Sequence, residues 1–310
     1  MGDTQPFTVE QQYDGQTLAA FMRASLPALS WSEARRHIQA RRVRVNDVVC
    51  IDDSRRLRTS DRVDLLTQST KPLPSASDIK IVHEDEHLIV IDNPAGLPVD
   101  APRLGGDCIE YRIQELMLGF KRPPTAMHRL DQDTSGCLLF ARNPRARAEA
   151  QQAFENGKVE KVYLAVLGAE IEGDEGLIDL PLGKLSSAEA GWRMVGDADG
   201  KLGGKSAQTR WRKLKVLGGR TLVEFRPLTG RTHQIRAHAR EGLGVGIVGD
   251  RVYGYPGGEM LLHASRLVVP RGTKPTIDVT APLPERFVGW TLDEPAPTPS
   301  SDVPDSDVAG

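Results

Sequence analysis

The chain has 310 residues, of which 39% are hydrophobic and 26% are charged. This composition is typical of a soluble globular protein and is sufficient for one large domain and one small domain. No segment approaches the roughly 18 apolar residues that span a bilayer, and the polar N-terminus lacks an apolar signal core. We therefore expect a cytoplasmic protein without a membrane partner. Three widely separated cysteines that form no CxxC pair argue against a disulfide framework or a zinc site.

The formal net charge of -2 conceals two segments of opposite sign. Residues 293–310 hold five acids and no Lys or Arg, and removing those five negative charges would move the net charge to +3. Residues 35–44 hold five arginines and no acid. A local basic stripe of this kind matters more for nucleic-acid binding than the total charge does.

The N-terminal part of the chain predicts two short helices followed by a hairpin. Residues 1–13 are expected to form a loose lead-in, after which Leu18, Phe21 and Met22 show helical spacing. Ser30 followed by Glu33 is a capping-box pattern, which predicts a second helix with one buried face. The residues expected on that face are Trp31, Ala34 and Ile38. Alternation in 43–45, a tight turn at Asn46-Asp47 and a strand at 62–65 complete the pattern.

This stretch resembles the small RNA-binding domain typified by small-subunit ribosomal protein S-four. The segments RRHIQARRVRVND and RLRTSDRVDLL carry the resemblance. In that family the second helix and the hairpin present arginines to RNA phosphates, and the corresponding residues here are Arg35, Arg36, Arg41, Arg42 and Arg44. A solvated basic face is the alternative interpretation. We assign the domain to residues 14–67, and the Ser-, Thr- and Pro-rich segment 68–78 to a linker.

The remainder of the chain alternates strand patterns with a few helices. Helices are expected after Asp107, over 144–157 and over 233–241, the last with Thr232 as its N-cap. The Gly-rich segment 173–204 predicts a hairpin with a mobile excursion. Residues 291–310 are expected to form an acidic disordered tail.

The densest motif is HRLDQDTSG, residues 128–136. A carboxylate on a loop beside a fixed cation is a usual way to keep an Asp ionised and oriented. The structural alternative is an Asx-type turn in which Asp131 or Asp133 accepts hydrogen bonds from backbone amides.

Other chemistries fit the sequence less well. His233 and His238 are five residues apart, which is not the spacing of a helix-borne metal pair. The GxGxxG match at Gly244–Gly249 follows a predicted helix instead of preceding one, and Ser135 is not in a GxSxG elbow. The remaining set suits a reaction that needs a nucleophilic or charge-stabilising Asp, a stacking Tyr and an orienting Arg. Its members are Asp131, Tyr163 and Arg236. A core tyrosine and a surface arginine are the structural alternatives for the last two.

Five motifs occur in the order expected of RluA-type RNA pseudouridine synthases. They are HRLDQDTSG, KVYLAVLG, TGRTHQIRAH, GDRVYG and LLHASRL, and the resemblance covers residues 79–290. The resemblance implies an α+β fold, in which a large mixed, mainly antiparallel sheet flanked by helices follows a small N-terminal α/β RNA-binding domain. The segment DNPAGLPVDAP departs from the family pattern at two positions, with Asn93 in place of a Lys and Asp100 in place of a His. Neither position belongs to the catalytic set, so the departures bear on RNA contacts at this segment and not on activity.

The resemblance also implies a role for each matching residue. Asp131 would be the catalytic aspartate, Arg236 would keep it ionised, and Tyr163 would stack on the target uracil and serve as a candidate base. Arg129 would lie near the flipped-out nucleotide, and Leu262 would be the apolar residue beneath the site.

The implied reaction converts uridine to pseudouridine in RNA, without a cofactor or a metal, in a monomer. The resemblance favours large-subunit ribosomal RNA, and tRNA is the alternative substrate. A non-catalytic ribosome-associated RNA-binding protein remains a second hypothesis. A nucleosidase-like glycosidase is a third, but it would need two working carboxylates, and Asp133 is poorly placed to be the second.

Overall fold

The computed structural model describes residues 4–39, 42–46, 48–66, 75–76, 79–101, 107–115, 122–187, 191–254 and 258–290. Arg41, Asp47, most of the expected linker and the expected tail therefore lie outside the described residues. The helices of the described part are α1 (Leu18–Ser25), α2 (Trp31–Gln39), α3 (Ile109–Glu115), α4 (Pro144–Glu155) and α5 (Gln234–Gly242). In this part of the chain, no helix is long and apolar enough to cross a membrane.

The strands fall into one large sheet and two small ones. The first small sheet contains β1 (Thr4–Thr8), β2 (Val43–Val45), β3 (Val48–Val49) and β4 (Arg62–Leu66). The large sheet begins with β5 (Lys80–Glu84), β6 (Leu88–Asn93), β7 (Thr125–Ala126), β8 (Ser135–Ala141), β9 (Glu160–Leu167) and β10 (Glu175–Asp179). The second small sheet is the hairpin of β11 (Leu182–Ser187) and β12 (Gly191–Gly196). The large sheet is completed by β13 (Gln208–Leu217), β14 (Arg220–Pro227), β15 (Leu262–Arg271) and β16 (Lys274–Thr280).

The N-terminal domain has its own hydrophobic core. α1 and α2 pack against each other, and their apolar residues form one buried cluster with those of β2 and β4. The predicted capping box is confirmed, since the Ser30 N–H donates to Glu33 Oε2 at 2.8 Å and the Glu33 N–H donates to Ser30 Oγ at 3.2 Å. Two expectations were wrong. Trp31 is 47% exposed, with the Arg23 guanidinium 4.8 Å from its ring centre, and the expected loose lead-in contains β1, which pairs with β4.

The main path of the large sheet runs β10-β13-β14-β9-β15-β8-β6-β5. Its pairings are antiparallel except for β8 with β15, which run parallel at Ser135 and Gly136 opposite His263 and Ala264. One half of the sheet (β5, β6 and β8) precedes the other half (β9, β10, β13 and β14) in the chain, and β15 hydrogen-bonds to both halves. The α+β fold with a mainly antiparallel sheet is thus confirmed.

The sheet separates two apolar layers, because successive side chains of a strand point to opposite faces. Leu138 and Phe140 belong to one buried cluster, whereas Cys137 and Leu139 belong to another. α4 covers the second face through its alanines and contacts β8 and β15. α5 lies on the first face, where it contacts β12 and β14. The candidate site opens on this first face.

Candidate active site

Asp131 lies on the loop between β7 and β8, and neighbouring backbone holds this loop in place. The Thr134 N–H donates to the Asp131 carbonyl at 2.8 Å, and the Gly96 N–H donates to the Gln132 carbonyl at 2.7 Å. The buried Asn93 side chain donates to the Thr134 carbonyl at 3.0 Å. The turn is therefore closed through main-chain carbonyls, and the Asp131 carboxylate is left to face the cavity, as a functional residue would.

Arg236 joins two carboxylates. Its Nη1 donates to Asp131 Oδ2 at 2.9 Å, while its Nε and Nη2 bind the two oxygens of Asp250 at 2.7 and 2.8 Å. Arg236 and Asp250 are 7% and 1% exposed, so the guanidinium has little freedom to move. Asp250 also accepts the N–H groups of Val252 and Tyr253. The paired geometry fixes the direction in which Arg236 presents Nη1 to Asp131.

Burial and ion pairing have opposite effects on the pKa values of Arg236 and Asp250. Burial disfavours the charged forms of both residues, yet the mutual attraction prevails: the pKa of Asp250 lies below its usual value and the pKa of Arg236 above its usual value. Asp250 was missed from the sequence, although it lies in the GDRVYG motif. The interpretation of Arg236 as a surface residue is excluded by its burial.

Tyr163 and Leu262 form the apolar wall beside Asp131. Both lie in the buried cluster of the first face and both line a cavity of about 1210 Å³, together with Ile235. Burial, and secondarily the nearby charge of Asp131, raise the pKa of Tyr163 above its usual value. The side chain is therefore a neutral phenol that presents an apolar face to the cavity.

Cations surround the mouth of this cavity, and several of them are already paired. The Arg129 side chain is 77% exposed and binds Asp100 at 3.0 Å. Asp100, which stands where the family pattern has a His, therefore pairs with the arginine of the HRLD motif. Arg251 binds Asp133 at 2.6 Å. Asp100 and Asp133 therefore already pair with two of the cations at the mouth of the cavity.

The hairpin β11–β12 contributes an aromatic residue that sequence reasoning did not single out. The Trp192 ring stacks on His233 with centroids 5.1 Å apart, and Tyr253 Oη accepts the Met194 N–H at 2.8 Å, which ties the hairpin to the site. Tyr253 Oη is also 2.9 Å from His233 Nδ1, and His233 Nε2 is 4.0 Å from Asp131 Oδ1. The motifs did not reveal the contact between Trp192 and His233, because Trp192 lies on a hairpin about 40 residues earlier in the chain.

His233 also corrects the expected start of α5. It is the N-cap, in a left-handed conformation with φ of 54°, and Thr232 is not. The side chain of Gln234 stabilises the entry, since its Oε1 accepts the Arg231 N–H and the Thr229 hydroxyl. A non-glycine residue with positive φ at a site is a strained conformation that the surrounding contacts maintain.

The arginines expected to contact RNA have different environments. Arg35 binds Asp53 at 2.9 Å on the surface, and Arg36 is exposed. Arg44 is partly buried, whereas Arg42 extends from the N-terminal domain to line the same cavity as Asp131. Contact of these residues with RNA stays a prediction.

Comparison with known proteins identifies the family of each domain. Residues 87–241 match the family model described as RNA pseudouridylate synthase, and residues 16–63 match the S4 domain. An uncharacterised RNA pseudouridine synthase of Zymomonas mobilis is 48% identical over 212 residues, which are 67% of this chain and 95% of that protein. The ribosomal large subunit pseudouridine synthase C of Rickettsia bellii is 34% identical over 217 residues, 67% of this chain and 69% of the relative.

A solved structure shares the architecture. Human RNA pseudouridylate synthase domain containing 1 superposes with a TM-score of 0.57 at 26% identity, covering 68% of this chain and 86% of that one. Fold and site together define an RNA-modifying isomerase. The chain belongs to the RNA pseudouridylate synthase family, as an RluA-type pseudouridine synthase with an N-terminal S4 domain.

Proposed function

We propose that this enzyme isomerises a uridine of large-subunit ribosomal RNA, with Asp131 as the catalytic aspartate and without a cofactor. The salt bridge of 2.9 Å between Arg236 and Asp131, at the base of a cavity walled by Tyr163, is the observation that carries the proposal. A carboxylate that attacks carbon or abstracts a proton must be held in a fixed direction, and the hydrogen bond from Arg236 Nη1 to Asp131 Oδ2 does this. All three proposed catalytic residues come from one chain, which supports a monomeric active site.

The reaction breaks the bond between uracil N1 and ribose C1′, turns the base, and joins its C5 to C1′. The proton on C5 is lost and N1 gains one, so the product is an isomer of the substrate. Asp131 either attacks C1′ or removes a proton from C2′, and both routes begin with its carboxylate. The target base must first leave its stack, which costs a few kcal/mol that contacts with the RNA offset.

Tyr163 and Leu262 are suited to hold the detached base. Aromatic stacking on an unstacked base is a common form of RNA recognition, and the neutral phenol of Tyr163 supplies such a face. Leu262 packs in the same cluster beneath it. As a base, Tyr163 would act through its hydroxyl and not as a preformed phenolate. Arg129 lies at the rim, from which it is positioned to contact the RNA around the flipped nucleotide.

The substrate preference is inferred from relatives and from the S4 domain. Relatives in Rickettsia bellii and Borreliella burgdorferi are named ribosomal large subunit pseudouridine synthases C and D. We assign the small domain to residues 14–67, the linker to 68–78 and the catalytic domain to 79–290. We propose that the arginines of the small domain increase the affinity for RNA.

Pseudouridine mapping of total RNA tests both parts. Cells that lack the gene are complemented with the wild type, with Asp131→Asn, or with Asp278→Asn, which removes the same charge from an exposed position on β16. We expect one or more ribosomal sites to return with the wild type and the control but not with Asp131→Asn. Return of the site with Asp131→Asn would refute the catalytic role, and loss confined to tRNA would refute the ribosomal target.

A further inference from the structure

Lys161 faces the candidate site but has no role in the chemistry described above. It lies two residues before Tyr163 on β9, so the two side chains leave the same face of the strand. One strand repeat of two residues separates them by about 6.6–6.8 Å along the chain. Both line the cavity that contains Asp131.

The ammonium group of Lys161 differs from three of the arginines around the site. Arg129, Arg236 and Arg251 each bind a carboxylate at 3.0 Å or less. Within the described parts of the chain, no carboxylate or hydrogen-bond acceptor holds Lys161, although the residue is partly buried. Burial lowers the pKa of its ammonium, and no anion offsets this effect.

The surroundings of Lys161 do not neutralise it. His128 is nearby, but burial lowers its pKa to about 3, so it is neutral and its Nε2 accepts the Leu139 N–H. On the other side, a Cβ built on Gly230 would lie 3.9 Å from Lys161 Nζ. The ammonium therefore lies beside bare backbone of the loop before α5, with space for a ligand. An unpaired buried cation destabilises the free protein and is stabilised when an anion binds.

We propose that Lys161 binds an RNA phosphate that flanks the flipped uridine. This inference rests on the proposed function, which places uracil against Tyr163. A nucleotide carries its phosphates one ribose away from its base, and Lys161 is one strand repeat away from Tyr163. The phosphodiester is the anion that every RNA substrate supplies, and its charge complements the ammonium group. The contact adds affinity and fixes the register of the ribose above Asp131.

Three variants test this role in the full-length protein. Lys161→Met removes the charge at similar volume, Lys161→Arg keeps it, and Lys158→Met removes the same charge from an exposed position three residues away. The probe is a fluorescent stem–loop RNA that carries the uridine identified by mapping, and affinity is measured at several salt concentrations. We expect Lys161→Met to raise Kd about tenfold and to lower the salt dependence by about one phosphate contact. Lys161→Arg and Lys158→Met should stay within about threefold of the wild type.

A second probe locates the phosphate. The same RNA is made with an uncharged methylphosphonate at the linkage 5′ or 3′ of the target uridine. One of the two should weaken binding by the wild type about tenfold and leave the Kd of Lys161→Met unchanged, because the two changes remove the same contact. Equal weakening of both proteins at both linkages would overturn the proposal.

Thermal unfolding separates this role from a structural one. Lys161→Met should melt at the wild-type temperature or above it, because it removes an uncompensated buried charge. A lower melting temperature with unchanged Kd would mean that Lys161 serves the fold. Because these readouts are binding and melting, they are independent of turnover. Conversion by Asp131→Asn would refute the proposed function alone, whereas normal RNA affinity of Lys161→Met would refute this inference alone.

Discussion

Replacing Asp250 by Asn should show how strongly Arg236 depends on its buried partner. Asn keeps an oxygen for the N–H groups of Val252 and Tyr253, but its amide NH₂ would face the Nε–H of Arg236, 2.7 Å from the present oxygen. Two donors would then oppose each other, and the guanidinium would lose half of its countercharge. Breaking a buried ion pair by removing one partner costs about 3–5 kcal/mol.

A matched control exists on the surface of the same molecule. Arg266 binds Asp278 through the same paired geometry, at 2.7 and 2.6 Å, but the two side chains are 30% and 47% exposed. Asp278→Asn should therefore cost no more than about 1 kcal/mol. Urea unfolding followed by circular dichroism measures both values through linear extrapolation.

Asp250→Asn should also reduce turnover, whereas the surface control should not. Arg236 would no longer be held against Asp131, and a displacement of about 1 Å in such a group can cost about 100-fold in rate. Single-turnover conversion at saturating RNA measures this effect, with RNA affinity close to that of the wild type. Equal destabilisation by Asp250→Asn and Asp278→Asn, or full activity of Asp250→Asn, would refute the reasoning.

Two further predictions concern the two ends of the HRLDQDTSG motif, His128 and Gly136. Gly136→Ala should destabilise the protein by at least about 3 kcal/mol in urea unfolding, because its φ is +109° and a Cβ would lie 2.2 Å from the Ala264 carbonyl oxygen. Gly200→Ala, with φ of +70° and nothing within 4 Å, should cost only about 1–2 kcal/mol, and equal losses would contradict the close approach. His128 has a pKa of about 3 in the folded protein against an ordinary value of 6.5. The unfolded chain therefore binds the extra proton, and stability declines as pH falls from 6.5 towards 3. Lowering the pH to 5 should cost about 2 kcal/mol through this residue, and His128→Gln should lose that share of the slope.

Local sequence patterns predicted the features that depend on neighbouring residues. The capping box of Ser30 and Glu33 was predictable because its two hydrogen bonds join residues three apart. The exposure of Trp31 was not predictable, because the buried face of a helix is defined by what packs against it, and here the Arg23 guanidinium contacts the ring in place of the core. The strand β1 was missed for a similar reason: its partner β4 lies more than 50 residues later.

The candidate site was predictable only where a motif already implied its chemistry. Asp131 and Arg236 are 105 residues apart, and their pairing was inferred from the family resemblance alone. Asp250 lies in a recognised motif and Trp192 in none, but the roles of both were missed, since a buried carboxylate and a stacked indole are defined by tertiary contacts. Lys161 was present in a recognised motif, yet its lack of a partner among the described residues becomes visible only in three dimensions.

The position of β15 has a consequence for biosynthesis. Asp131 precedes β8 in one half of the sheet, whereas Tyr163 lies on β9 in the other half, and β15 (Leu262–Arg271) is the strand that bonds to both. While the chain is being synthesised, each half exposes an open strand edge until residue 271 has left the ribosome. The proposed catalytic residues are therefore brought together only after β15 has been synthesised. A nascent enzyme cannot modify RNA before then, and a stalled or truncated chain that ends before β15 is expected to be inactive and prone to aggregation.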